Sequence, residues 1–287
     1  MSGKISASAP RTTAALDVES TFGVHRFGKY DATATLGKGY FKKAFATDEG
    51  ATVAELYADG TSPAELTVSG AAAEPTHASM VASLARDDGS VSFTPDHVLI
   101  AKLHRAKRGL RIVSVPWQFD VAMQTILGQR VTAEEAMRQF RRVAERYGRE
   151  ASGLAVFPPA SFVAKMPTWQ LAQFEIDPKR SRAMVALARA IVARKGFWSS
   201  PVLVKILQSI RGIGPWTIGN IMALAMGDPD ALVVGDLHLP HVVGWALAQE
   251  PRGSDERMLE LLLPFLGQRF RVTRLLMSSG IKVPRTR

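Results

Sequence analysis

The hydrophobic period changes once along this chain, and that change limits the folds open to it. Residues 21 to about 75 alternate small, apolar and polar residues: Tyr30, Ala32, Ala34 and Leu36, then Val53, Glu55 and Tyr57, then Leu66 and Val68. Gly37-Lys38-Gly39 and Asp48-Glu49-Gly50 punctuate them. A period of two broken by such turns predicts a short antiparallel sheet. His77 to Arg86 spaces Met80, Val81 and Leu84 as a helix does, and Asp87-Asp88-Gly89 ends it. Beyond Thr94 the spacing is helical throughout: Val98, Leu99, Ala101 and Leu103, then Phe119, Met123, Ile126 and Leu127, then Ala136, Phe140, Val143 and Tyr147. The expectation is a mainly α protein with an N-terminal α+β domain. A disordered tail over 1–20 precedes an antiparallel sheet plus helix over 21–100, and a helical domain follows over 101–287.

Charge divides the chain in the same place. The formal net charge is +10, but residues 1–100 carry −4 and residues 101–287 carry +14. Positive charge gathered in one half points to a polyanionic partner, most commonly nucleic acid, or to a merely basic surface. There is no cysteine, which removes thiolate metal sites, iron–sulfur clusters and thiol nucleophiles, and fits a reducing compartment. No apolar run is longer than that at residues 221–226, which is far short of the ~18 residues that a bilayer span needs. The first twenty residues have no apolar core of the kind a signal peptide requires.

The most informative stretch is 202–247. Apolar Leu203, Ile206 and Leu207 predict a helix that meets Gly212-Ile213-Gly214, and Pro215 stands where a new helix would start. Helix, tight hairpin, helix is the reading, with the unit spanning 202–226. Two glycines let a phosphate approach the backbone, and the amides opening the second helix present its positive dipole end. A plain αα-hairpin would look the same in isolation. About twenty residues on, Gly235-Asp236 precedes an apolar-periodic run to Leu247, which puts Asp236 at or near a helix start. There it is an N-cap or a functional carboxylate.

GIGPWT at 212–217 followed at this distance by VGDLH at 234–238 resembles the helix–hairpin–helix DNA glycosylases, and among them the AlkA-like 3-methyladenine-DNA glycosylase branch. Residues 109–132, GLRIVSVPWQFDVAMQTILGQRVT, look like that family's segment ending in ILGQ-x-V-[ST]. Residues 157–194 resemble its Phe-Pro segment and the helix after it, here with Lys179-Arg180-Ser181-Arg182. The resemblance covers about residues 101–287.

That resemblance implies a monofunctional DNA glycosylase that flips an alkylated purine of the 3-methyladenine type out of duplex DNA and hydrolyses its N-glycosidic bond in base excision repair. Asp236 would stabilise the oxocarbenium-like sugar and orient the attacking water. Trp216 would stack on the cationic base, with Gln129 in the same pocket. Gly212, Ile213, Gly214 and Thr217 would hold backbone phosphates, and Arg130 would fill the gap left by the base. Family members that also cut the strand carry lysine where this chain has Trp216, so no lyase activity is implied. Residues 271–280 lack the aromatic pair of the AlkA branch, which implies a less aromatic pocket. The expected partner is double-stranded DNA containing damaged bases, bound by a monomer in the cytoplasm, at the nucleoid if bacterial. No cofactor or metal is implied beyond an alkali-metal ion at the hairpin carbonyls when DNA is bound.

Three other readings stay open: a non-catalytic DNA clamp, a glycosylase for another lesion class, and a metal enzyme using Asp236, His238 and His241, the last weakened by Pro240. Arg138, Arg142, Arg146 and Arg149 at helical spacing are either a DNA-binding stripe or a solvated face.

Overall fold

The alternating segments pair as a twisted antiparallel sheet. In the computed structural model, which describes residues 4–8, 16–59 and 64–284, five strands are hydrogen-bonded in the order β1-β5-β4-β3-β2. They are β1 (Lys4–Ser8), β2 (Ala34–Gly37), β3 (Tyr40–Ala46), β4 (Ala51–Tyr57) and β5 (Glu65–Gly70). The β3–β4 hairpin registers Ala44 with Val53 and Ala46 with Ala51. Its turn closes through Thr47 and Gly50, whose amides and carbonyls bond reciprocally at 2.8 and 3.2 Å. The β2–β3 turn needs Gly39, which has φ +65°, and a Cβ there would lie 2.3 Å from the Ala58 carbonyl oxygen.

The expected tail is in part structured. Residues 4–8 pair along β5, and Asp17 caps helix α1 (Val18–Phe22) by accepting from the Ser20 amide at 2.9 Å. Residues 1–3 and 9–15 of that tail lie outside the described residues. Val18 of α1, inside the segment read as disordered, is buried in the same core as its neighbour Phe22, which stacks on Phe41 of β3 with ring centroids 5.2 Å apart. Composition hid this, because a short edge strand of small and polar residues gains its partners only from the neighbouring strand.

Helix α2 (Ala73–Ala85) covers β5, and the chain then turns helical. There follow α3 (Val98–Ala106), α4 (Gln118–Leu127), α5 (Ala133–Tyr147), α6 (Ala160–Val163), α7 (Pro178–Val192), α8 (Leu203–Ser209), α9 (Pro215–Asn220), α10 (Leu239–Ala248), α11 (Asp255–Leu262) and α12 (Arg269–Ser278). A π turn at Ile221–Ala225 continues α9. One short hairpin interrupts the helices, β6 (Arg149–Ala151) with β7 (Leu154–Val156), and it lies against β3 and β4.

Two cores result. The larger joins Phe41, Phe45, Leu56 and Leu66 of the sheet to Trp117 and to Met123, Ile126 and Leu127 of α4, with α5, α7 and α8 behind. The smaller gathers Ile100, Val243, Met258, Leu262, Val272 and Leu275 from α3, α10, α11 and α12. Each fully buried aliphatic or aromatic side chain is worth about 1.5–3 kcal/mol, so sheet and helices are held by a shared interior.

Polar groups lock the same interface. Lys43 sits on the core face of β3, fully buried, with Nζ 3.0 Å from Oδ2 of Asp120 on α4. Burial pushes the Asp120 carboxyl up against the opposing pull of Lys43. Asp88 joins Arg111 and the buried Arg271 of α12.

Candidate active site

The hairpin forms where the glycines demand it. α8 ends at Ser209, Ile213 donates to the Ile210 carbonyl at 3.0 Å, and α9 starts at Pro215 with Gly214 as N-cap. Gly212 has φ +93° and lies against α7, with a would-be Cβ 3.0 Å from Cβ of Ala183. Gly214 has extended backbone, φ −102° and ψ −177°, and its Cβ position faces open space. Of the two, Gly214 offers its backbone outward, beside the helix-opening amides that lack partners within the helix. Ile213 is buried at 5% exposure, so its main chain alone can meet a ligand.

Two residues expected at the ligand contact the hairpin and each other. The hydroxyl of Thr217, 2% exposed, accepts from Nε2 of Gln129 at 2.9 Å. The same nitrogen donates to the Gly212 carbonyl at 2.9 Å. Gln129 therefore ties the end of α4 to the hairpin and spends its amide donor there, while Thr217 is interior. Periodicity could not have separated these roles, because the partners are 83 and 88 residues apart. Arg180 completes the support. It is buried and donates to the Leu127 carbonyl at 2.6 Å and to Oε1 of Gln139 at 2.9 Å, fixing the end of α4 from which Arg130 projects. Arg130 is exposed, with φ +57°, a left-handed backbone unusual for a residue with a Cβ.

Trp216 follows the hairpin, and its indole Nε1 donates to Oδ2 of Asp236 at 3.0 Å across twenty residues. The other carboxylate oxygen, Oδ1, accepts from the amides of His238 and Leu239, both at 2.9 Å. Asp236 is thus tether and candidate catalyst together: one oxygen holds the amides of His238, the N-cap of α10, and of Leu239, its first residue, and the other accepts from the tryptophan. Burial pulls its pKa upward, but the Trp216 bond, the two amides and His238 outweigh that and hold it below the ordinary value. The half-buried carboxylate is ionised at neutral pH, which is what stabilising a developing cation requires.

Charge around the hairpin sorts the arginines. Arg138 and Arg142 on α5 pair with Glu134 and Glu175, and Arg149 falls outside that helix, on β6, so the four do not form one stripe. Lys179, Arg182, Lys205 and Arg211, on or beside α7 and α8, are exposed and make no ion pair among the described residues. His241 Nδ1 accepts from the Gly253 amide at 3.0 Å, and no cluster of three metal-ligating side chains occurs among the described residues. None of the described helices is long and apolar enough to cross a membrane.

The fold is shared with solved structures. The chain superposes on a 3-methyladenine DNA glycosylase from Archaeoglobus fulgidus with a TM-score of 0.72 at 16% identity, covering 95% of this chain and 97% of that one. The fold is that of the helix–hairpin–helix DNA glycosylases. A Clostridium acetobutylicum 8-oxoguanine glycosylase/lyase in complex with double-stranded DNA shares it, with a TM-score of 0.67, 15% identity and coverage of 95% and 96%. In sequence, the chain is 27% identical over 169 residues to the DNA-3-methyladenine glycosylase of Bacillus subtilis, covering 55% of each. The chain spans about half the length of the curated relatives it matches. No family model matches it.

Proposed function

We propose that this chain is a monofunctional DNA glycosylase that removes alkylated purines from duplex DNA. The observation that carries the proposal is the Asp236 carboxylate, held ionised by Trp216 and two backbone amides beside a glycine hairpin that turns its main chain outward. The hairpin takes a phosphate next to the lesion, the exposed cations of α7 and α8 add attraction that depends on salt, and Arg130 enters the stack as the base leaves. Extrusion costs a few kcal/mol, least for damaged pairs. The base comes to rest against the indole of Trp216, and its positive charge suits an electron-rich ring. As the C1′–N bond breaks, the bonding pair leaves with the cationic base and neutralises it. Asp236 stabilises the oxocarbenium-like sugar and accepts a proton from the attacking water, whose oxygen closes the new C1′–O bond. An alkylated base leaves without strong acid catalysis, so one carboxylate suffices where other glycosidases use two.

Trp216 cannot supply the amine that strand cleavage through a Schiff base requires, which supports hydrolysis alone. An alkali-metal ion shared between hairpin and phosphate would be held by hairpin carbonyls, where that of Gly212 already accepts one hydrogen bond from Gln129. The test is Asp236→Asn on duplexes carrying methylated, deaminated or oxidised bases, with free base and strand cleavage scored separately. Base release should fall by about 10²-fold or more, with duplex affinity retained. A wild-type protein that binds DNA but frees none of these bases would leave the clamp reading in place.

A further inference from the structure

We infer that Asp255 is a positioning residue for Asp236, an inference that rests on the proposed function. Its Oδ2 accepts from the Gly235 amide at 2.9 Å, joining the start of α11 to the residue before the candidate catalyst across twenty positions. Gly235 has φ +85°, a left-handed conformation that sets the direction in which the chain enters Asp236. Asp236 is tied on its other side by its bonds to His238, Leu239 and Trp216. The loop is therefore pinned at both ends of a single residue, and Asp255 is the pin from outside it.

Helix capping does not account for this contact. Ser254 is the N-cap of α11 and accepts from the Arg257 amide at 3.2 Å. Glu256 also stands in the first turn, so an acid is already present for the helix dipole. The second oxygen of Asp255, Oδ1, is buried with no hydrogen-bond partner among the described residues. An orphaned buried oxygen costs stability, so the residue is not there to strengthen the fold. What the carboxylate does accomplish is to hold Gly235. A catalytic group displaced by about 1 Å loses up to about 10²-fold in rate, so a clamp one residue away acts on kcat.

The experiment compares Asp255→Ala, Asp255→Asn and Asp255→Glu with wild type. Single-turnover base release and affinity for an abasic-analogue duplex are both measured on the full chain. Asp255→Ala should release base roughly tenfold more slowly with affinity unchanged, as expected when an interaction made in the transition state is weakened. Asp255→Asn keeps an oxygen for the Gly235 amide and should recover most of the rate. Asp255→Glu keeps the charge, moves the oxygen by one methylene and should be slow. If Asp255→Ala does not fold, the Asn and Glu pair carries the same contrast. In DNA-free protein, the Trp216 indole N–H resonance, assigned by its loss in Trp216→Phe, should move in the Ala or Glu variant and stay in place in the Asn variant. Wild-type rate in Asp255→Ala or Asp255→Glu overturns the inference, as does an Asn variant as slow as either. A wild-type protein without base release refutes the proposed function, while the indole resonance still reports on the clamp.

Discussion

Replacing Gly214 by alanine adds one methyl group where the structure is empty and where the proposed reaction needs a phosphate. The backbone there, φ −102° and ψ −177°, suits any residue, and nothing lies within 4 Å of the new Cβ. Reduced unfolded-state entropy favours alanine by about 0.4–1 kcal/mol. Alanine is a poorer N-cap than glycine by a comparable amount, so the two effects offset and the melting temperature should hardly move. In the complex, the methyl stands off the phosphate and removes one or two charge-assisted hydrogen bonds of about 1.5–3 kcal/mol each. That is roughly 10- to 100-fold in Kd, or more if both are lost. Gly212→Ala provides the contrast. Its φ of +93° and the 3.0 Å approach to Ala183 should cost roughly 1–3 kcal/mol, lowering the melting temperature by several degrees. Thermal melts and fluorescence anisotropy with an abasic-analogue duplex at fixed salt separate the two. Should Gly214→Ala bind as tightly as wild type, the hairpin is not the phosphate site.

Other outcomes follow from the backbone at Arg130 and from the buried ionisable groups. Arg130→Gly relieves a left-handed backbone and should stabilise the free protein by about 1 kcal/mol while weakening binding to lesion duplexes; unchanged binding would remove Arg130 from the DNA interface. Burial drives the His25 imidazole from 6.5 down to about 3, so the unfolded chain binds more protons between those values. Stability present above pH 6.5 should therefore be lost as pH falls, at up to about 1.4 kcal/mol per unit. His25→Gln, which can still accept from Trp117 Nε1 as His25 does at 3.3 Å, should flatten melting temperature against pH over that window. Asp88, held at about 2 by Arg271, the Ile112 amide and Arg111 against the upward pull of burial, loses its contribution only in more acid solution. Lys43→Met strands Asp120 in the core and should cost about 3–5 kcal/mol in a denaturant melt, most of it recovered when Asp120→Leu is added.

The hairpin and its glycines were legible in the sequence because each follows from backbone geometry within a few residues. The start of α9 at Pro215 and of α10 after Asp236 were legible for the same reason, as were the β3–β4 and β2–β3 turns. Less accessible were β1, whose small residues carry no signal without β5 beside them, and the interior place of Lys43 and Arg271, whose charge is tolerated because Asp120 and Asp88 approach from distant segments.

Local order in this protein is written into its chain by period, proline and glycine, since those act through dihedral angles and short hydrogen bonds. Division of labour within the site was decided by tertiary contact. Gln129 and Thr217 look like ligand residues in a line of text, yet they face each other and the Gly212 carbonyl. Asp255 looks like an ordinary helix opening, yet it reaches Gly235. A side chain's chemistry depends on which partner satisfies it, and partners far apart along the chain meet only when the helices pack.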